Sequence, residues 1–388
     1  MLKCANAYTH EIDNPEAAFK EIKAQLDERI TLQENSIGII MCHPEFVNSD
    51  TLRYVCDHML FEVVGITTPS QAVNNTTDEM ILTVFVITSD DCQFKIGLAE
   101  GLDENITEPI KTAMEKTALK NCGYPALVLI FPPLILKYSG DSYVKAMQEF
   151  IPGIPIFGSI AIDDTLDFDL AETIYNGETY KNAMPFILCY GDINPRFIIG
   201  TFPEENALPY KGEITKSQGS LVHEINDMNA LKYFESKGLV NNGILSDSFN
   251  LMPFVINHEK RTGYSVIRGL AMFTDDGTAV FRGDIDEGSE FSMLTYEFKD
   301  VLSTTQQKIE LLNDLPDVNG ALIFSCIGRR MMIMSTDPII ELDTVRDVIR
   351  PEIPFIASHV GGEICPLLVN DGVWANKYHN YSLIILVI

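Results

Sequence analysis

Apolar residues recur along the chain in two rhythms. Phe19, Ile22, Leu26 and Ile30 step by three and four after Asn14-Pro15, which predicts an amphipathic helix capped by Asn14. SIGIIMCH (36–43) and FEVVGITT (61–68) are short apolar runs that read as buried strands, with a helix predicted over 49–60 between them. MILTVFVIT and CQFKIGLAE flank the polar Ser89-Asp90-Asp91 and predict an antiparallel hairpin. Ile110, Ala113, Met114 and Thr117 then mark one side of a further helix.

After this the order restarts. ALVLIFPP (126–133) predicts a strand, 141–150 a helix and IPIFGSIAI (154–162) a strand, followed by the short apolar runs of ETIYNGET, MPFILCYG and PRFIIGTF. A third round comprises ALIFSCIGR, a helix around 341–350, IPFIASHVGGEI (353–364) and NYSLIILVI. Each round has a strand, a helix and a strand reaching glycine: Gly65, Gly158 and the pair Gly361-Gly362. The spacing drifts too far for a tandem solenoid, and both true duplication and ordinary α/β succession fit it.

The predicted fold class is α/β in the broad sense, with mixed sheets layered with helices and two packed sheets inside. PEENALPYKGEITKSQGS (203–220) is polar and broken by proline and glycine, so the junction between two modules, 1–205 and 206–388, is placed there.

With 28 Lys and Arg against 55 Asp and Glu, the net charge of -27 opposes binding to phosphate backbones and anionic lipid, so neither nucleic acid nor a membrane is expected as a partner. The longest apolar run, PALVLIFPPLIL, is too short and proline-broken to cross a bilayer, and MLKCANAYTHEID lacks a signal-peptide core. The eight cysteines are scattered without a CxxC pair, as expected of reduced thiols in a cytoplasmic protein.

No phosphate-binding loop, nucleophile elbow or zinc-protease motif is present, and no metal or cofactor is expected. DDGTAVFRGDIDEG (275–288) lacks EF-hand spacing and reads as a hairpin turning at Asp276-Gly277. Cys326 has two readings. It is a nucleophile with His359 or His379 as base and Arg329 lowering the thiol pKa, which would make a hydrolase or transferase, or it is a small buried residue. Arg268, Arg329 and Glu363 stand among apolar neighbours. An arginine fork matches a carboxylate and a glutamate accepts from an ammonium, so together they suit a zwitterion such as an amino acid.

VIRGL (266–270), GDIDEG (283–288), FSCIGR (324–329), GGEI (361–364) and YHNYS (378–382) resemble, in order, the motif series of the FIST sensory domain. VVGITT (63–68), IFGSIAIDD (156–164) and IYNGE (174–178) resemble its N-terminal module. The resemblance implies a non-catalytic small-ligand sensor for signal transduction, with amino acids as the proposed ligands and a separate signalling protein as partner. It places the ligand site on Arg268, Cys326, Gly328, Arg329, Gly361, Gly362, Glu363, His379 and Asn380. The sequence departs from the pattern at Pro69-Ser70, at Ser358-His359-Val360 and at Ser382, which bears on the identity of the ligand. No output domain is expected after the apolar YSLIILVI.

Overall fold

A computed structural model of the chain describes residues 2–120, 122–165, 167–202, 206–241, 244–245, 253–257, 265–333, 337–368 and 374–388. The chain runs through one motif three times. The first copy is β1 (Lys3–Thr9), α1 (Pro15–Arg29), β2 (Asn35–Cys42), α2 (Glu45–Asn48), α3 (Thr51–Asp57), β3 (Glu62–Thr67), the hairpin β4 (Gln71–Val73) and β5 (Thr76–Asp78), and β6 (Leu82–Ser89). The second is β7 (Gln93–Ala99), α4 (Thr107–Thr117), β8 (Leu127–Ile130), α5 (Gly140–Gln148), β9 (Ile156–Ser159), the hairpin β10 (Thr173–Tyr175) and β11 (Glu178–Tyr180), and β12 (Met184–Tyr190).

The third opens with β13 (Arg196–Gly200) and is interrupted by an insert. The insert holds β14 (Ala207–Gln218), β15 (Leu221–Ile225), β16 (Met228–Asn229), α6 (Ala230–Ser236), β17 (Val240–Asn241), β18 (Ile244–Leu245), β19 (Pro253–Asn257), β20 (Ser265–Phe273), β21 (Ala279–Phe281) and β22 (Glu290–Leu294). The copy resumes with α7 (Phe298–Asn313), β23 (Ala321–Cys326), α8 (Ile327–Ile333), α9 (Ile340–Val348), β24 (Phe355–Val360), the hairpin β25 (Glu363–Leu368) and β26 (Trp374–His379), and β27 (Leu383–Val387).

Each copy builds a sheet around a parallel pair, β2 with β3, β8 with β9 and β23 with β24. The copy's last strand pairs antiparallel with the first member of that pair, and its opening strand lies outside that. The hairpins are exchanged in a ring: β4–β5 completes the sheet of β24, β10–β11 that of β3, and β25–β26 that of β9. The described residues therefore form three like sheets of six strands, and the three rounds in the sequence correspond to three repeats of one motif.

Strand parity sorts each sheet into two faces. Ile39, Met41, Leu127, Leu129, Leu322 and Phe324 turn to one core shared by all three sheets. Their neighbours turn outward to each sheet's own helices: Ile40 toward α1 and α3, Val128 toward α4 and α5, Ile323 toward α7 and α9. At Gly65 and Gly158 a Cβ would lie 1.7 and 1.8 Å from the carbonyl oxygens of Ile40 and Ile130, so only glycine fits.

Three sheets, not two, pack together. The strands around Ser89-Asp90-Asp91 do not pair with each other, because β6 joins the first sheet and β7 the second. By register the third counterpart of Gly65 and Gly158 is Ala357, opposite Ala72, while Gly361 and Gly362 turn the chain from β24 to β25. Of the expected junction, 203–205 lie outside the described residues and Ala207–Gln218 is a strand. The insert is a separate structure. β14, β22, β19, β20, β21 and β15 pair in order, and β14 also pairs with β15, which closes an antiparallel barrel. Phe254, Phe281 and Phe291 fill it together with Phe234 of α6. Within it the hairpin read at Asp276-Gly277 joins β20 to β21, with Gly277 at φ 80°.

Candidate functional site

The parallel pairs end on one side of the shared core, and there the three sheets are stitched together. Ile162 N–H donates to Thr67 O at 3.2 Å, Gly361 N–H to Ile160 O at 3.0 Å, and Ile160 N–H to Gly362 O at 3.1 Å. Open α/β sheets commonly bind ligands at the carboxyl ends of their strands.

Parity then divides the functional side chains of the third sheet. Ser325 follows Ile323 onto the helix-covered face, where its hydroxyl donates to Glu341 Oε2 at 2.8 Å. Glu341, on α9, receives Arg329 Nε at 3.0 Å and Nη2 at 2.8 Å, and Thr305 Oγ1 at 2.6 Å. Arg329 Nη2 also meets Val301 O at 3.0 Å. His359 Nε2 stands 3.5 Å from Glu341 Oε2, and its Nδ1 lies 2.8 Å from Ser70 Oγ. Arg329, Glu341 and His359 are all fully buried. Burial would raise the Glu341 carboxyl, but Arg329 and His359 outweigh it and hold the group below the usual carboxylate range. The same burial lowers the His359 pKa against the opposing pull of Glu341.

Gly328 and Arg329 do not extend the strand as ALIFSCIGRR suggests, since β23 stops at Cys326 and Ile327–Ile333 is helical. That turn sends Arg329 to Glu341, so its fork is committed within the protein and one nitrogen, Nη1, has no hydrogen-bond partner among the described residues. Arg268 is likewise committed. It bonds Asp141 Oδ2 at 3.1 Å, Tyr378 O at 2.9 Å, and the carbonyls of Ile267 and Asp284 at 3.2 Å each. Because Asp141 belongs to α5 and Arg268 to the barrel, this pair ties the insert to the body.

The inner face has the opposite character. Glu363 opens β25 on the side that Cys365 gives to the shared core, directly across from Ser159 on β9 and His379 on β26. Gln71 opens β4 on the same inward side as Val73, across from Ser358. Asn380 lies in the turn after β26, two residues before Ser382, whose N–H donates to Glu363 Oε2 at 3.2 Å. Asn380 Nδ2 is held by His379 O at 3.1 Å, and Gln71 Nε2 by Thr68 O at 3.2 Å, which fixes both amides with their oxygens free. Among the described residues, Glu363 Oε1, Asn380 Oδ1, Gln71 Oε1 and Ser159 Oγ are buried without a hydrogen-bond partner. Buried polar atoms are nearly always paired, so unpartnered atoms on these strand ends mark a candidate ligand site.

Burial pushes the Glu363 carboxyl well above its usual range, and does the same to the Cys326 thiol beside it. His379 Nε2–H donates to Cys365 O at 3.0 Å, and burial brings the imidazole pKa down to about 4, so it is neutral at pH 7. The structure thus gathers Cys326, Glu363, His379 and Asn380 at one place and turns Arg268 and Arg329 toward other carboxylates.

The glycines of the motifs make room for two tyrosines. A Cβ at Gly362 would stand 2.2 Å from Tyr378 Oη, and one at Gly328 2.6 Å from the Tyr381 ring, which also abuts Gly269 of the barrel. Gly283 clears space for Arg268 in the same way, with a Cβ there 2.5 Å from Nε. Each of the five C-terminal motif segments therefore contributes to one junction between barrel and body. Glu341, Gln71 and Ser159 were absent from the sequence-derived set. Glu341 carried a signal, an acid in helical phase with the apolar Val345, whereas Gln71 and Ser159 carried none. A cleft of about 840 Å³ opens among strand starts, lined in part by Leu2, Pro155 and Trp374, and contains none of the sequence-derived site residues.

These features define a multi-sheet α/β body with an inserted barrel and a polar site at converging strand ends. The FIST N domain matches residues 36–228 and the FIST C domain residues 230–366, and the chain belongs to the FIST family of signal-transduction sensory domains. No curated protein matches the chain. Among the described residues no helix is long and apolar enough to cross a membrane.

Proposed function

We propose that the protein is a non-catalytic cytoplasmic sensor that binds a small polar metabolite, an amino acid or other small carboxylate being the first class to test, and passes its state to a separate signalling protein. The observation that carries this reading is the set of four unpartnered polar atoms on Gln71, Ser159, Glu363 and Asn380 at the strand ends. Cys326, Glu363, His379 and Asn380 stand beside or within that set, with Gly361 and Gly362 turning the chain into it. Arg268 and Arg329 hold its walls through Asp141 and Glu341.

Support for the absence of catalysis comes from the thiol. A nucleophilic cysteine needs a lowered pKa, and burial moves that of Cys326 the other way. The two histidines considered as its base are engaged elsewhere, His379 with a carbonyl and His359 with Ser70. The cytoplasmic placement rests on eight cysteines that all stand unpaired.

A thermal-shift screen of the whole chain against amino acids and small metabolites tests the reading. A true ligand at one hundred times its dissociation constant stabilises the fold by about 2.7 kcal/mol, which raises the melting temperature measurably. A screen without a hit would remove the sensor reading of this site.

A further inference from the structure

We infer that the strand-end site recognises a protonated amine, and that a carboxylate on the ligand is dispensable. The inference rests on the reading of this site as the ligand pocket and names the chemical class it takes. Two of the four free atoms, Asn380 Oδ1 and Gln71 Oε1, are acceptors, and Glu363 Oε1 is a third when its carboxyl is ionised. The two amides cannot reverse to offer donors, because their nitrogens are already given to His379 O and Thr68 O. An ammonium group has three N–H donors and no acceptor, which is the chemistry that complements a set of acceptors. A carboxylate brought to the same atoms would set acceptor against acceptor.

Charge counting gives the same answer. The three buried arginines each have their own acid, Arg268 with Asp141, Arg329 with Glu341 and Arg330 with Glu79. Glu363 is the remaining buried carboxyl of this cluster, and among the described residues no salt bridge neutralises it. His379 stands directly across from it on β26, but that imidazole is neutral at pH 7 and is bonded to Cys365 O. Cys326, Cys365 and Tyr378, which also surround Glu363, have their ionised forms disfavoured by burial and add no positive charge. An incoming cation favours the ionised carboxylate, so that pairing offsets the burial that pushes the Glu363 carboxyl up.

The test uses the whole chain and two matched panels. Ethylamine, butylamine, alaninamide and leucinamide carry the ammonium without a carboxylate, while propionate, valerate, N-acetylalanine and N-acetylleucine carry the carboxylate without an ammonium. At least one amine is expected to raise the melting temperature and to bind by calorimetry, and none of the carboxylates is. Glu363→Gln keeps an acceptor for the Ser382 N–H and is expected to weaken amine binding at least about ten-fold, as a charge-assisted contact is lost. The inference falls if a carboxylate binds and no amine does, or if a cooperatively folded Glu363→Gln variant binds amines as tightly as the parent. In either case a metabolite hit would leave the sensor reading standing. If neither panel nor the metabolite screen yields a ligand, both readings fall together.

Discussion

The two faces at the end of β23 and β24 bury charge in opposite ways. On the helix-covered face Glu341 is met by Arg329, Thr305 and Ser325, with His359 close by, so every oxygen is used. On the inward face Glu363 receives one backbone N–H, from Ser382, and has the Cys326 thiol within hydrogen-bond reach, with Oε1 otherwise unpartnered. Both carboxyls are wholly enclosed, and their pKa values move in opposite directions. The closed cluster is architecture, since breaking it strands a charge. The open one costs the fold something in the free state, and a protein keeps such a group where a ligand will complete it.

The comparison can be broken most directly by removing the two acids in turn. Glu341→Ala leaves Arg329 buried without its counter-ion and is expected to cost about 3–5 kcal/mol in urea unfolding, enough to threaten folding altogether. A cost below about 1 kcal/mol would show that the outer cluster is not closed.

Acid should act next. His379 is kept neutral in the fold with a pKa of about 4, against about 6.5 when unfolded. The unfolded chain therefore binds more protons at this imidazole, which removes up to about 3 kcal/mol of stability as pH drops from roughly 7 to 4, while the raised Glu363 carboxyl opposes that loss. Glu341 loses stability in the same direction at the lower end, because its folded pKa is depressed. Chemical denaturation of the parent and of a His379→Gln variant across this range checks the imidazole's share, the parent's stability falling relative to the variant's as pH drops.

Crowding the tyrosine junction comes third. Gly328→Ala places a methyl group into the Tyr381 ring and is expected to cost about 1–3 kcal/mol, measured by thermal unfolding. The smallest effect belongs to the open site. Glu363→Gln, read without ligand, should change stability by less than about 1 kcal/mol in either direction, because a neutral isostere replaces a carboxyl whose charged form burial disfavours. Cys326 should also resist thiol labelling in the native state at neutral pH, and rapid labelling would revive a catalytic cysteine.

Local pattern carried much of the body into view. The apolar runs of β2, β8 and β23 and the helices at 15–29 and 140–148 were legible because their periodicity is set by the neighbours they bury against. The threefold order was visible too, although its symmetry was not, since the third glycine marker fell on the turn at Gly361-Gly362 instead of on Ala357. Pairing partners were the hidden part. Nothing near Ser89 tells that β6 and β7 part company, and nothing near Gln71 tells that it faces Ser358. Glu363 and Asn380, named from motif order, are among the buried residues with an unpartnered oxygen. The destination of Arg329 was misread, because the fork that suits a ligand carboxylate equally suits Glu341, twelve positions on.

The ring of exchanged hairpins has a consequence for how such a chain comes to be folded. Ala72 of β4 pairs with Ala357 of β24, partners ~285 positions apart in the chain. At a synthesis rate of roughly 5–20 residues per second, β4 emerges about a quarter of a minute to a minute before the strand it completes. Until β10 (Thr173–Tyr175) has been made, one edge of β3 also stands open to whatever strand it meets. The nascent chain thus carries unfinished edges, the last of which close only when the third copy arrives, and slow folding set by long-range pairing is the expected behaviour. Chaperone demand during translation, more than the stability of the finished protein, would then govern how much of it a cell can accumulate.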